Sequence, residues 1–141
     1  MALTTLDIER KLGKYHQFAG VYSIDKLPFW LVYKPCGFVV NLDPSWKPGS
    51  HWVAIFMQEI GPVIYFDSFG LSPPQLIITF IERNCKKYGY QYNRNVYQGN
   101  LSIKCGHFCI FFLESCFNDM NFSLLKCRTN TNEKILNGFY K

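Results

Sequence analysis

A chain of 141 residues fits one domain spanning residues 1–141, long enough to bury a sizeable core without disulfide or metal staples, so multi-domain readings are set aside. Hydrophobic residues make up 48% of it and aromatic ones 18%, with 13 Phe and 9 Tyr, against 18% charged; this excludes large-scale disorder and implies an aromatic-rich core. The net charge of +5, with Lys86, Lys87, Arg94 and Lys104 in the second half, favours acidic partners, but no basic run forms the stripe that would dictate nucleic-acid binding, and a solvated basic surface is the simpler reading.

The N-terminal stretch MALTTLDIERKLG is charged and lacks the apolar region of a secretory signal. Of the six cysteines, Cys105, Cys109 and Cys116 share one apolar segment, where they read as small buried residues; the expectation is therefore reduced thiols in an intracellular setting. No stretch reaches the roughly 18 uninterrupted apolar residues that a membrane span needs, and no membrane partner is expected.

In chain order, Thr4 to Leu12 reads as a capped amphipathic helix: Thr4-x-x-Asp7 is a capping box, Ile8 and Leu12 share a face, and Gly13 ends it. Phe18 to Ser23, Phe29 to Tyr33 and Phe38 to Leu42 are β-prone and punctuated by prolines and Gly37. The polar, proline-rich loop from Asn41 to Ser50 ends just before His51. His51 to Gln58 and Val63 to Asp67 form the clearest hairpin, with strands apolar enough to be covered on both faces. Ser72-Pro73-Pro74 opens a second helix whose apolar face, Leu76, Phe80, Ile81, Cys85 and Tyr88, runs to Gly89. Tyr90 to Tyr97 is bounded like a strand and leads into Gln98. Cys105 to Phe117 is apolar nearly all round, the pattern of a helix buried in the core, and is long for a strand. The tail from Asn118 is polar, with a terminal turn capped near Asn132.

Four residue types recur here that together make a thiol protease. A cysteine opening a helix is acidified by unpaired amides and the positive end of the dipole, which suits Cys105 as nucleophile. His51, at the start of a strand, is placed to take the thiol proton and later give it to the leaving amine. Asp67, ending the partner strand, suits the carboxylate that fixes the imidazole's tautomer. Gln98, with the backbone N–H of Cys105, completes an oxyanion hole. Singly, each has a plainer reading: an inert core thiol, a surface histidine, a turn-forming aspartate. The ordered set is what carries the argument. His16 and His107 have no comparable partners and read as structural or surface residues, while Cys109 packs one turn beneath Cys105. Cys105-x-His107-x-Cys109 with His51 offers four ligands for zinc, but a helix spreads alternate residues and the usual paired spacing is absent, so no metal and no other cofactor is expected.

GSHWVAIF, YFDSFGLSPPQL and QGNLSIKCGHFC, in this order over roughly residues 15 to 117, resemble the adenovirus protease (adenain) family of adenovirus-like viruses and virus-derived elements, and more distantly the ubiquitin-like-protein proteases. The resemblance implies an α+β, adenain-like fold related to papain by a rearranged chain order: a central mixed or antiparallel sheet flanked by helices, with a buried central helix carrying Cys105. It assigns the same catalytic roles to His51, Asp67, Gln98 and Cys105. It makes Trp52 a substrate-binding residue that helps roof a narrow channel admitting glycine, and places Asn41 near the cleft. The implied function is a cysteine endopeptidase maturing viral precursor proteins at glycine-containing sites, as a monomer inside the cell, in the virion or the host nucleus and cytoplasm. The alternatives are a protease acting on ubiquitin-like tails, or an inactive relative that binds such tails. Family members are stimulated by a disulfide-linked viral peptide and by DNA; no cysteine of this chain stands at the matching place after Tyr90, although Cys85 is near. Asp67 stands where the family often has Glu, and Lys104 where it has a small residue or an aspartate.

Overall fold

The computed structural model describes residues 3–30, 33–46, 51–97 and 104–118. Thr4 opens α1 (Thr5–Leu12) with the expected capping box: its Oγ1 accepts from Asp7 N at 3.2 Å, and Asp7 Oδ2 accepts from Thr4 N at 2.9 Å. Two amides that a helix start leaves without partners are thereby satisfied. One turn apart on the inner face, Ile8 and Leu12 are fully buried among Phe108 and Leu113.

Five strands make one mixed sheet in the order β1 (Phe18–Ser23), β2 (Cys36–Asn41), β3 (Trp52–Met57), β4 (Val63–Phe66) and β5 (Tyr90–Tyr92). The central β2, β3 and β4 are antiparallel, and each edge strand joins its neighbour in parallel. Side chains alternate between the two faces. Val39, Ala54 and Phe66 pack with α1 and α3 (Cys105–Phe117) on one side. Phe38, Val40, Val53, Ile55 and Tyr65 pack with Ile77, Phe80 and Ile81 of α2 (Gln75–Asn84) on the other. With both faces covered, the central strands have no polar side, which is why they read as continuous apolar runs. Each fully buried Phe or Ile here contributes roughly 1.5–3 kcal/mol.

The 13 residues of α3 occupy the helix expected for them, and they lie close against the sheet. A Cβ at Gly37 of β2 would sit 2.7 Å from Leu113 Cδ2 and 2.8 Å from Phe117 Cζ, so the absence of a side chain there sets how near the helix comes. Phe66 and Phe112 stack across this contact with ring centroids 4.8 Å apart.

Three expectations are corrected. The described residues of the 29–33 segment form no strand: Arg83 Nε donates to the Phe29 carbonyl at 2.8 Å and Asn84 Nδ2 at 3.3 Å, so side chains of α2 take the place of a neighbouring strand. Phe29 and Trp30 consequently lie 62% exposed. In α2 the buried stripe is Ile77, Phe80 and Ile81, spaced i, i+3, i+4, which leaves Leu76 on its outer edge; the helix stops at Asn84, and Gly89 (φ +67°) instead turns the chain into β5, leaving Tyr88 exposed. Finally, β5 ends at Tyr92 rather than Tyr97, because the side chain of Asn93 takes over the pairing with Asp67 that another strand residue would have made. The terminal turn expected near Asn132 lies outside the described residues.

Candidate active site

The end of the β2–β3–β4 sheet nearest the start of α3 gathers three of the four expected catalytic residues. The strand ladder continues one step past the Asn41↔Trp52 pair, since Leu42 N donates to His51 O at 2.9 Å, and this fixes the backbone of His51. Extending the Ala54↔Phe66 register puts Asp67 across from Val53 and diagonal to His51 on the same face, a separation long side chains span. His51 Nε2 and Asp67 Oδ1 are 2.7 Å apart. The short aspartate therefore reaches the ring. Asp67 is 1% exposed and His51 15%, so the pair is screened from water yet open at the imidazole.

Cys105 is the first residue of α3, and no side chain caps that helix start. Its Sγ lies 3.5 Å from the backbone N–H of Trp52, the residue after His51, and close enough to the imidazole for each group to shift the other's pKa. With Nε2 committed to Asp67, Nδ1 is the ring nitrogen left to exchange a proton with the thiol. Burial alone would raise the Cys105 pKa, but the bond to His51, the Trp52 and Gly106 amides and the imidazolium charge outweigh it and bring the thiol below its ordinary value. Burial likewise opposes the charged imidazole, yet hydrogen bonds to Asp67 and Cys105 and their charges raise His51 to about 9. Both directions favour a thiolate–imidazolium pair over the neutral thiol and imidazole.

Two residues of this cluster were not anticipated from the sequence. Asn93 receives the Asp67 N–H on its Oδ1 at 3.0 Å and returns an N–H to the Asp67 carbonyl at 2.6 Å. Phe69 donates its backbone N–H to Asp67 Oδ1 at 2.8 Å and lays its ring on His51, with centroids 4.9 Å apart and planes 30° from parallel. Neither shows a periodic signal; only the aromatic two places after Asp67 and the Asn closing a Tyr-rich run hinted at them. Gly70, at φ +73°, makes the turn that follows, its N–H donating to Asp67 O at 2.8 Å; a Cβ there would meet the Arg94 and Asn95 carbonyls within 2.9 Å.

The half-buried indole of Trp52 donates from Nε1 to Leu3 O at 3.1 Å, and a Cβ on Gly106 would lie 3.2 Å from its Cδ1. The ring thus packs against the first turn of α3. Asn41 is buried at the end of β2, opposite Trp52, and its Oδ1 accepts from Asp43 N at 2.9 Å, an Asx turn that starts the following loop. Gln98 lies outside the described residues. His107 stands apart from the cluster: burial first, then the charge of Lys104, lowers it to about 4, so it is neutral at neutral pH. Cys109 is fully buried one turn below Cys105, its thiol pushed up by burial. Among the described residues, no three His, Cys, Asp or Glu side chains are arranged to hold a metal.

The chain as a whole has relatives. The chain superposes on the crystal structure of the African swine fever virus pS273R protease with a TM-score of 0.67 and 20% identity, covering 96% of this chain and 64% of that one. On the SUMO protease Ulp1 the TM-score is 0.60 with 13% identity, over 96% of this chain and 74% of that one. The fold is that of the papain-related cysteine proteases. In sequence, a cysteine protease of African swine fever virus (a tick isolate from Malawi) is 29% identical over 136 residues, 84% of this chain and 50% of that protein. A protein of Acanthamoeba polyphaga mimivirus named as a thiol protease is 36% identical over 84 residues, 53% of this chain and 28% of its own length. The protease of frog adenovirus 1 is 26% identical over 148 residues, 88% and 69% respectively. The chain thus spans about half the length of the African swine fever virus relatives it matches. No family model matches it.

Proposed function

We propose that this chain is a cysteine protease whose nucleophile is Cys105, with His51 as acid and base, Asp67 as the residue that orients His51, and Gln98 as oxyanion donor. The observation that carries the reading is one imidazole held at 2.7 Å by a buried carboxylate, with a thiol at a helix start 3.5 Å from the backbone N–H of Trp52, the residue after His51. In the cycle, the Cys105 thiolate attacks the peptide carbonyl carbon, and the oxyanion is met by the Cys105 backbone N–H and the Gln98 amide. His51 gives its proton to the leaving amine as the C–N bond breaks, leaving an acyl-enzyme. It then takes a proton from water, whose hydroxide displaces the thiolate and releases the acid. His51 relays every proton: the thiol's own in the first half of the cycle and one from water in the second.

The substrate we propose is a viral precursor polypeptide cut at glycine-containing sites, in keeping with an adenain-type enzyme. On this reading Trp52, whose backbone N–H lies 3.5 Å from the thiol, is the residue that would restrict the cleft to glycine; Asn41 has its side-chain carbonyl engaged in the turn, which leaves its Nδ2 amide for substrate. A second reading, deconjugation of a ubiquitin-like modifier, has its own support in two findings. Other African swine fever virus relatives bear the name SUMO-1 cysteine protease, and the fold matches Ulp1. Electrophilic probes built on modifier C-termini, run against glycine-containing peptide substrates, separate the two. Turnover of the peptides without labelling by the modifier probes supports maturation; rapid modifier labelling with inert peptides overturns it. If neither reacts, the protease assignment itself fails.

A further inference from the structure

Phe69 does more than follow Asp67 in the chain. Its backbone N–H holds Asp67 Oδ1 at 2.8 Å, the same oxygen that His51 Nε2 meets at 2.7 Å, while its ring covers the imidazole at 4.9 Å between centroids. One residue therefore fixes the carboxylate through its backbone and the imidazole through its side chain. The ring is half-buried and tilted only 30° from the imidazole plane, so it presents a π-face to the group that carries positive charge in the thiolate–imidazolium pair. Covering that side also keeps water from competing for the His51–Asp67 hydrogen bond, which is stronger where the dielectric is low.

We infer that Phe69 is a positioning residue that acts through His51, its aromatic face stabilising the imidazolium and holding the ring in line between Asp67 and Cys105. The inference rests on the protease reading for its functional meaning but not for its test. The titratable groups facing His51 are Asp67 from the end of β4 and Cys105 from α3. A stabilised imidazolium makes the thiolate easier to form and harder to neutralise. Removing the ring should therefore move the acid limb of thiolate formation to higher pH and the imidazolium's own deprotonation to lower pH, so the charged pair exists over a narrower range.

The experiment compares wild type with Phe69→Ala, Phe69→Leu and Phe69→Tyr, all of which keep the backbone N–H to Asp67. Iodoacetamide alkylation of Cys105 is followed by mass spectrometry across pH, alongside thiolate ultraviolet absorbance and circular dichroism as a check on folding. The expected result is a loss in alkylation rate near neutrality of roughly five- to thirtyfold in Ala and Leu, the size of one cation–π contact. The acid limb should move up, and Tyr should restore both rate and limb. A Phe69→Ala profile identical to wild type overturns the inference. So does Leu matching Tyr, since an apolar cover would then suffice. Should Ala fail to fold, the Leu–Tyr contrast still decides. Because alkylation and absorbance need no substrate, a protein that shifts as described yet cleaves nothing would sink the protease reading and leave the role of Phe69 standing.

Discussion

Asn93 holds Asp67 from behind, pairing with both its backbone N–H at 3.0 Å and its carbonyl at 2.6 Å, so the carboxylate's backbone is fixed by a side chain where sheet pairing has stopped. The carboxylate is 1% exposed and is held in front by the Phe69 N–H, so Asn93 secures its backbone and Phe69 its side chain. Asn93→Ala leaves the Asp67 N–H unpaired and its carbonyl with the Gly70 N–H alone, at a cost of about 1–3 kcal/mol, and lets Asp67 drift from His51. The expected outcome is a lowered denaturant midpoint together with a fall in catalytic rate larger than that of a surface control such as Glu82→Gln. Equal rates in the two variants would show that the clamp is merely structural.

The pH dependence follows from the opposed shifts of the two partners. Cys105 is held below its ordinary thiol value by His51, so alkylation of Cys105 should persist at pH values where a free thiol is unreactive and be lost only as the pH falls through that lowered pKa. His51 stays protonated up to about 9, so peptide turnover, which needs its proton for the leaving amine, should decline as the pH rises through that value. Asp67→Asn removes the carboxylate charge that helps raise His51. Its basic limb should move to lower pH, with turnover falling by roughly 10²- to 10⁴-fold. A basic limb unmoved by Asp67→Asn would mean that Asp67 does not act on His51.

Two glycines set the position of α3 and should respond differently to an added methyl. Gly37→Ala pushes a Cβ to 2.7 Å from Leu113 Cδ2 and 2.9 Å from Phe117 Cε1, in the tightly packed middle of the helix–sheet contact. Destabilisation of about 1–3 kcal/mol is expected from overpacking, with the site's chemistry retained in whatever remains folded. At Gly106 the nearest atoms are Leu3 Cβ and Trp52 Cδ1, both at 3.2 Å, so a Cβ there shifts the indole by a few tenths of an ångström beside the thiol. Gly106→Ala should therefore keep most of its stability and lose activity. Thermal unfolding and turnover measured on both variants would expose a reversal of this order.

Much of this architecture is legible in the sequence, for a physical reason: α1 announces itself by Thr4-x-x-Asp7 and α3 by an unbroken apolar run, both local signals that burial only reinforces. The hairpin was readable because β3 and β4 are covered on both faces and are therefore apolar throughout. The 29–33 segment deceived because aromatic, β-prone residues need a strand partner to become a strand, and here Arg83 and Asn84 take the Phe29 carbonyl while Arg83 also sits 4.3 Å over the Phe29 ring. In the site, His51, Asp67 and Cys105 could be picked out because their chemistry is rare in that order. Asn93 and Phe69 could not, because what matters about them is a backbone pairing and a ring placement that depend on where β5 ends and how the chain turns at Gly70.

The most direct measurement is to treat the protein with a peptidyl vinyl sulfone, locate the modified residue by mass spectrometry, and repeat the assay and peptide cleavage with Cys105→Ala. The account requires that Cys105 alone among the six cysteines be modified at neutral pH, and that Cys105→Ala lose both modification and cleavage while keeping the wild-type circular dichroism spectrum. Modification spread evenly over the cysteines, or full cleavage by a folded Cys105→Ala, would contradict it.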